Sequence, residues 1–193
     1  SGSYGGSGNP SLGEGSGVYN DNFSVTLYKG NGATNTINTG IDLTNGGLVW
    51  IKDRFNSISH TLFDTSRGVN KFLEADTDTA EQNRITPQDG LTTFRTNGFT
   101  LGAYGNINTN NNHYVAWSFK KAEKFFDIVT WTGDGTEPRT INHNLNCAVG
   151  RMVVKRLDSA GDWMVYDKNF STSSLNGQFH NFWNGRTGAE FPQ

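Results

Sequence analysis

The chain of 193 residues carries a formal net charge of -2 at pH 7, and 12% of its residues are aromatic. This charge provides no field that would attract phosphate groups, which argues against binding to nucleic acid. No apolar stretch approaches the roughly 20 residues of a membrane-spanning helix, so we expect no membrane insertion. Gly, Asn, Thr and Ser together make up more than two fifths of the chain, and these residues favour turns and strand edges over helices. The composition therefore predicts an all-β protein.

The first 22 residues differ from the rest of the chain. Residues 1–17 contain seven Gly and five Ser, a composition that is typical of a flexible linker. We therefore interpret residues 1–22 as a Gly/Ser-rich leader or linker. Such a segment loses much conformational entropy when it becomes ordered, so either the body of the domain or a neighbouring molecule must hold it.

Short runs of alternating apolar and polar residues follow from residue 23 onward. Alternation predicts strands at residues 48–52, 114–119, 125–131, 152–155 and 164–166. Turn residues separate these runs, and helical periodicity is confined to two short windows, 69–74 and 79–84. Strands at this spacing predict a β-sandwich or a partly closed barrel with little helix.

The second half of the chain repeats the pattern of the first half. Residues 25–32 align with 128–135, residues 49–52 with 152–155, and residues 62–64 with 165–167, each at an offset of 103. We therefore predict two related repeats, the first over residues 23–121 and the second, incomplete, over residues 122–193. The counterpart of the strand at 114–119 would fall at about 217–222. Either the tail at 179–183 replaces this strand, or the second repeat leaves an open sheet edge that invites pairing with another chain.

The order of these motifs also carries a family resemblance. In the first half the motifs are LYKGNG (27–32), LVWIKDR (48–54), HTLFD (60–64), NGFTLG (97–102) and YVAW (114–117). In the second half they are WTGDG (131–135), VVKR (153–156) and DWMVY (162–166). Over residues 22–170 the chain resembles a tandem-repeat β domain of virion and tail-fibre proteins of tailed, especially marine, bacteriophages. The resemblance implies a lectin-like or jelly-roll β-sandwich, a place in the virion and no catalytic residues.

Three carboxylates at alternate positions, Glu74, Asp76 and Asp78, are followed by Glu81. On a strand the first three would share one face, as the acid and the nucleophile of a glycosidase do, and the close like charges would raise one pKa. Asp76, Asp78 and Glu81 could also supply oxygen ligands to calcium, the one cofactor that the sequence suggests. However, the flanking Thr and Ala residues form no aromatic wall, and the resembling family has a polar connection here. A solvated loop without enzymatic function is therefore the preferred interpretation.

The histidines and the cysteine do not form a recognisable metal motif. The four histidines, His60, His113, His143 and His180, are scattered along the chain, so we predict no zinc site. Cys147 is the single cysteine, which excludes an intramolecular disulfide, and we predict that it is a small packed side chain.

The Asn-rich loop at residues 102–113 is the best candidate for surface recognition. Asn amides donate and accept hydrogen bonds together, which suits sugar hydroxyls, and a tyrosine ring offers a stacking face. The candidate glycan-binding residues are Tyr104, Asn106, Asn110, Asn112 and His113. A turn that is simply soluble is the alternative for this loop.

These observations favour a structural component of a phage particle, either a tail fibre or another virion protein, that acts through subunit assembly. Its expected partners are further copies of itself or other virion subunits. The alternative is a carbohydrate- or host-surface-binding module whose partner is a cell-surface glycan. A polysaccharide-degrading enzyme has the least support from the residues.

Overall fold

The structure is a computed structural model that describes residues 17–19 and 21–168. The described part contains twelve strands, all paired antiparallel, and one short helix. Strands hold 37% of it and helix 3%, which confirms the prediction of an all-β chain with little helix. The elements are β1 (Gly17–Tyr19), β2 (Phe23–Lys29), β3 (Asn35–Asn38), β4 (Gly47–Asp53), β5 (Thr61–Asp64), β6 (Lys71–Glu74), β7 (Gln82–Asn83), β8 (Leu91–Arg95), β9 (Gly98–Leu101), α1 (Gly105–Asn108), β10 (His113–Lys120), β11 (Arg151–Val154) and β12 (Met164–Asp167).

The strands up to β10 form a sandwich-like arrangement of two sheets. The larger sheet has the order β1-β2-β10-β4-β5-β6-β7, and the smaller sheet has the order β3-β9-β8. Both sheets contribute to one apolar core, in which Val49 and Ile51 of β4 meet Phe99 and Leu101 of β9, all without solvent exposure. Because side chains alternate along a strand, each of these strands places every second residue in this core. β1 pairs with β2, so part of the predicted leader is held by the body of the domain.

The central strand β10 shows which face of the larger sheet is the inner one. As the alternation predicts, Val115, Trp117 and Phe119 share one face, but this face lies outside the sandwich and is half-buried. The smaller residues Ala116 and Ser118 are fully buried on the inner face, where large aromatic rings from other strands already occupy the space.

Both windows of helical periodicity form strands. The window at 69–74 contains β6, and the window at 79–84 contains β7. β6 places Leu73 opposite Leu62 of β5, and β7 pairs with β6 in turn. Pairing with an existing sheet edge satisfies the backbone of these short segments, whereas an isolated helix of this length is unstable in water.

The second repeat reproduces one hairpin of the first repeat in the same register. β11 and β12 pair so that Val153 lies opposite Val165, just as Trp50 of β4 lies opposite Leu62 of β5. All four residue pairs of the second hairpin correspond to pairs of the first at the offset of 103. The two hairpins thus share one register at the offset that the sequence alignment gives, while the division of the chain into two repeats stays a prediction.

The predicted strand at residues 125–131 is wrong. Here the structure contains only an isolated bridge between Ala122 and Phe126, and the indole of Trp131 is 46% exposed. The counterpart of this segment in the first repeat is β2, which pairs with β1 and β10. Among the described residues of the second repeat there is no strand that corresponds to β10, so the segment has no neighbour with which to form a ladder.

The link between β11 and β12 packs on the outer face of the larger sheet. Trp163 is buried there against Leu62 and Leu73, and Leu157 lies beside the same cluster. The indole Nε1 of Trp163 donates a hydrogen bond to the carbonyl oxygen of Thr77 at 3.0 Å. The second repeat is thus attached to the first through apolar burial and hydrogen bonds.

Candidate functional site

Three connections meet at one end of the larger sheet, which we call the loop end. They are the connection after β2, the connection after β4 and the connection before β10. Gly30 N donates to Asn112 O at 2.8 Å, and Asn111 N donates to Gly30 O at 3.0 Å. Arg54 N donates to His113 O at 2.8 Å. These backbone bonds hold the three loops together, so the predicted glycan-binding residues lie in a cluster of loops on a rigid scaffold.

Two tyrosines beneath this loop end hold the short helix α1. The hydroxyl of Tyr28 donates to Ile107 O at 2.7 Å. The hydroxyl of Tyr114 donates to Gly105 O at 3.1 Å and accepts from Thr109 N at 2.9 Å. The two rings stack with centroids 5.1 Å apart, and burial raises the pKa of Tyr28. The phenols are therefore structural parts of the loop end.

The amide of Asn108 joins two of these loops from inside the protein. Asn108 has no solvent exposure, and its Oδ1 accepts from Asn31 N and Asn35 Nδ2, each at 3.0 Å. Its Nδ2 donates to the carbonyl oxygens of Ala33 at 2.6 Å and Gly102 at 2.7 Å. The hydrogen-bonding capacity of this side chain is used within the fold, which leaves none for a ligand.

The ring of Tyr104, which we predicted to stack on a sugar, is half-buried and already makes two contacts. Its centroid lies 5.5 Å from that of Phe72, and the guanidinium of Arg84 lies 4.5 Å from its centroid. Two hydrogen bonds of 2.7 Å connect Arg84 to Asp89 and lower the pKa of that carboxyl group. A sugar could stack on this face of the tyrosine only by displacing Arg84.

Asn112 is also occupied, because its Nδ2 donates to Asp53 Oδ2 at 2.9 Å. Asp53 is 1% exposed and accepts three further hydrogen bonds, from Phe55 N at 2.9 Å and from Asn56 N and Asn56 Nδ2, each at 3.0 Å. Burial opposes ionisation of this carboxyl group, but the hydrogen bonds outweigh it and hold the pKa of Asp53 below its usual range. The ionised carboxylate therefore organises the turn that follows β4.

Of the predicted glycan-binding residues, Asn110 and His113 are exposed and Asn106 is half-buried. The ring of His113 lies edge-on to Phe55 at a centroid distance of 5.5 Å. Phe55 is 73% exposed, and the guanidinium of Arg54 lies 5.6 Å from its centroid. Sequence reasoning missed Phe55, although a phenylalanine within a polar turn directly after a strand was a signal that could have drawn attention to it.

The acidic stretch does not form the shared face that strand geometry would give. Glu74 is the last residue of β6, and Asp76 lies beyond the strand, where its Oδ1 accepts from His60 N at 3.0 Å. Burial raises the pKa of Glu74, and the charge of Asp76 raises it further. The expected direction of the shift is confirmed, but burial is its larger cause.

The structure does not bring together the candidate calcium ligands Asp76, Asp78 and Glu81. The carboxylate of Glu81 lies 3.6 Å from Arg67 and 3.7 Å from Lys71, which occupy it as ion-pair partners. In the part of the chain that the structure describes, no group of three or more His, Cys, Asp or Glu side chains is placed to hold a metal ion. The calcium prediction therefore finds no site among the described residues.

The remaining histidines and the cysteine are placed separately. His60 Nδ1 accepts from Trp50 Nε1 at 2.8 Å, and burial lowers the pKa of His60. His143 Nδ1 accepts from the nearby backbone, and His180 lies outside the described residues. Cys147 is exposed, so the prediction of a packed cysteine is wrong.

A second candidate site is the edge of β11. Among the described residues β11 pairs with β12 alone, whereas the corresponding strand β4 has β5 on one side and β10 on the other. Lys168 N donates to Gly150 O at 2.9 Å, and in an antiparallel ladder this bond places the N–H of Val153 on the edge away from β12. Met152 and Val153 are each 36% exposed. Within residues 17–19 and 21–168, no strand pairs with this edge, and the tail at 179–183, the predicted replacement strand, lies outside those ranges.

The described helix is too short to cross a bilayer. No curated protein and no solved structure matches the chain. The model of a family described as a domain of unknown function, DUF7483, matches residues 19–182, a span that includes the first predicted repeat, most of the second and both candidate sites. Because this match covers more than four fifths of the sequence, the chain belongs to the DUF7483 domain family.

Proposed function

We propose that the chain is a structural component of a phage particle, a tail fibre or another virion protein, and that it acts through subunit assembly. The observation that carries the assembly is the edge of β11 that faces away from β12, which has no strand partner in the part of the chain that the structure describes. A strand from a neighbouring subunit that pairs with β11 would supply the backbone hydrogen bonds that β10 supplies to β4. The order of the sequence motifs, which resembles virion and tail-fibre domains, supports the place in a particle.

The geometry of this edge also indicates what kind of assembly it can support. An added strand would form a few backbone hydrogen bonds with the four residues of β11, each contributing about 0.5–1.5 kcal/mol. The neighbouring subunit would also bury the apolar side chains of Met152 and Val153, since both are partly exposed. Such a contact is weak by itself, and it becomes stable when many copies repeat it, as in a symmetric particle or fibre.

The test is the molar mass of the full chain, measured by light scattering coupled to size-exclusion chromatography over a range of concentrations. We expect species larger than the 21.2 kDa monomer. Val153→Pro removes the outward N–H without removing a β11–β12 hydrogen bond, so it should abolish the larger species. Val153→Thr retains the N–H and is the matched control that should still assemble.

Two results would overturn the proposal. The first is a monomer at every concentration, and the second is a Val153→Pro variant that assembles like the wild type. Circular dichroism and thermal unfolding of both variants establish that the first repeat remains folded. Electron microscopy of the larger species then separates a regular particle or fibre from irregular aggregates, and irregular aggregates would count against the proposal.

A further inference from the structure

We propose that Phe55, with Arg54 and His113 beside it, forms a binding site for an acidic saccharide, that is, a sugar that carries a carboxylate. The guanidinium of Arg54 lies over one face of the ring, 5.6 Å from its centroid, so the apolar C–H face of the sugar would stack on the other face. The carboxylate of the sugar would reach the guanidinium past the edge of the ring. The site lies at the loop end and uses no residue of the β11 edge. The binding site can therefore be tested separately from the proposed assembly.

The first step of the argument is the exposure of the ring. A single exposed apolar side chain is ordinary on a protein surface. Phe55, however, is 73% exposed while the backbone on both sides of it is firmly held. The His113 ring stands at 84° to the Phe55 ring with the two centroids 5.5 Å apart, so a second ring lies beside the exposed one.

The second step is the rigidity of the turn that presents the ring. The buried carboxylate of Asp53 accepts from the backbone N–H groups of Phe55 and Asn56. Lys52 Nζ donates to Asp53 O at 2.7 Å and to Asn56 O at 2.9 Å, which closes the turn from its other side. A turn that is already ordered loses little conformational entropy when a ligand binds.

The third step is the hydrogen-bonding capacity that remains free. Within the described part of the chain, neither the guanidinium of Arg54 nor the imidazole of His113 makes a side-chain hydrogen bond, and both residues are exposed. The amides of Asn108 and Asn112, in contrast, are fully or partly occupied by the fold. The side chains of Arg54 and His113, which flank Phe55, are therefore available to a ligand.

The fourth step is the local charge, which selects the class of sugar. The chain as a whole is negatively charged, but Lys52 and Arg54 place two cationic groups at this turn. The one carboxylate between them, Asp53, is buried and already accepts four hydrogen bonds. A guanidinium fork matches the geometry of a carboxylate and can bind it through two hydrogen bonds. This favours an acidic saccharide over a neutral one.

The experiment is isothermal titration calorimetry of the full chain with tetragalacturonate as the acidic probe and maltotetraose as the neutral probe. We expect the acidic probe to bind at least tenfold more tightly. Phe55→Ala should weaken its binding at least tenfold, and Arg54→Gln should remove the preference for the acidic probe. Phe125→Ala, which truncates another exposed phenylalanine, is the matched control and should bind like the wild type.

Four results would overturn the proposal: no binding of tetragalacturonate at millimolar concentration, equal binding of the neutral probe, unchanged binding by Phe55→Ala, or binding of a single-stranded oligonucleotide in place of the saccharide. Thermal unfolding of Phe55→Ala should match that of the wild type because the ring is mostly exposed, so a loss of binding can be attributed to the site. Light scattering on the same samples reports assembly separately.

Discussion

Replacement of the buried Asn108 by alanine tests whether the Asn-rich loop is primarily a structural element. Asn108→Ala removes the amide that accepts from Asn31 and Asn35 and donates to Ala33 and Gly102. These bonds connect the last residue of α1 to the connection after β2, to the start of β3 and to the connection after β9. We therefore expect the variant to fold with a loosened loop end and a substantially lower free energy of unfolding.

The size of the change in the free energy of unfolding depends on which hydrogen-bond partners of Asn108 water can reach in the variant. Asn31 and Ala33 are exposed and can be rehydrated, whereas Gly102 and Asn35 are partly buried. Asn35 Nδ2 keeps its hydrogen bond to Lys29 O at 3.1 Å, so Gly102 O is the partly buried group left without a partner, at a cost of about 2 kcal/mol. The three other lost hydrogen bonds add about 0.5 kcal/mol each. The higher helix propensity of alanine offsets less than about 1 kcal/mol of this. We expect a net loss of about 3 kcal/mol.

The assay is urea unfolding followed by tryptophan fluorescence. With a slope of about 2 kcal/mol per molar urea, the midpoint should fall by about 1.5 M. Asn110→Ala is the matched control, because this exposed asparagine in the same loop should change the free energy of unfolding by less than about 0.5 kcal/mol. If the two variants unfold at the same urea concentration, the structural role of Asn108 is refuted.

Three further predictions concern the backbone, the pH dependence and the attachment of the second repeat. Gly98→Ala should destabilise by at least about 2 kcal/mol, because the φ of this residue is 125° and a Cβ would overlap Ile37 O, whereas Gly133→Ala in open space should be neutral in the same thermal melts. The lowered pKa of Asp53 contributes stability that is present above its unfolded pKa of about 3.9 and is lost as the pH falls through its folded pKa. The stability difference between wild type and Asp53→Asn should therefore shrink in unfolding measured from pH 6 down to pH 3, and a constant difference would contradict this. Trp163→Ala should speed hydrogen exchange in the second repeat while β4 and β10 stay protected, and equal acceleration in all of these strands would argue against separate attachment.

The strands that could be predicted were those with a clear pattern in a short stretch of sequence. The strand at 114–119 was visible because its residues alternate, and the second hairpin was visible because its sequence repeats that of β4 and β5. A turn also recurs at the offset of 103: Asn31 Oδ1 accepts from Ala33 N, and Asp134 Oδ1 accepts from Thr136 N. These features involve neighbouring residues, so their chemistry is contained in a short stretch of sequence.

The candidate site was less predictable because burial is not a local property. Asn108 and Asn110 stand two residues apart in the same polar run, yet one is fully buried and the other is exposed. Tyr104 was a plausible platform for a sugar until the structure placed Arg84 over its ring. The sequence does not distinguish Phe55 from other turn residues. Only the structure shows that the buried Asp53 holds the backbone of this turn while the ring of Phe55 is exposed.

The sequence by itself determined that this chain is all-β and where β4, β10, β11 and β12 lie, because alternation acts over a few residues, and it also predicts an internal repeat. The tertiary structure decided which segments became strands and which polar side chains stayed free. Residues 125–131 carry the pattern of β2 but form no strand, since a strand requires a neighbour to satisfy its backbone, and that neighbour is distant in sequence. The same non-local packing buries Asn108 and leaves Phe55, Arg54 and His113 open to a ligand.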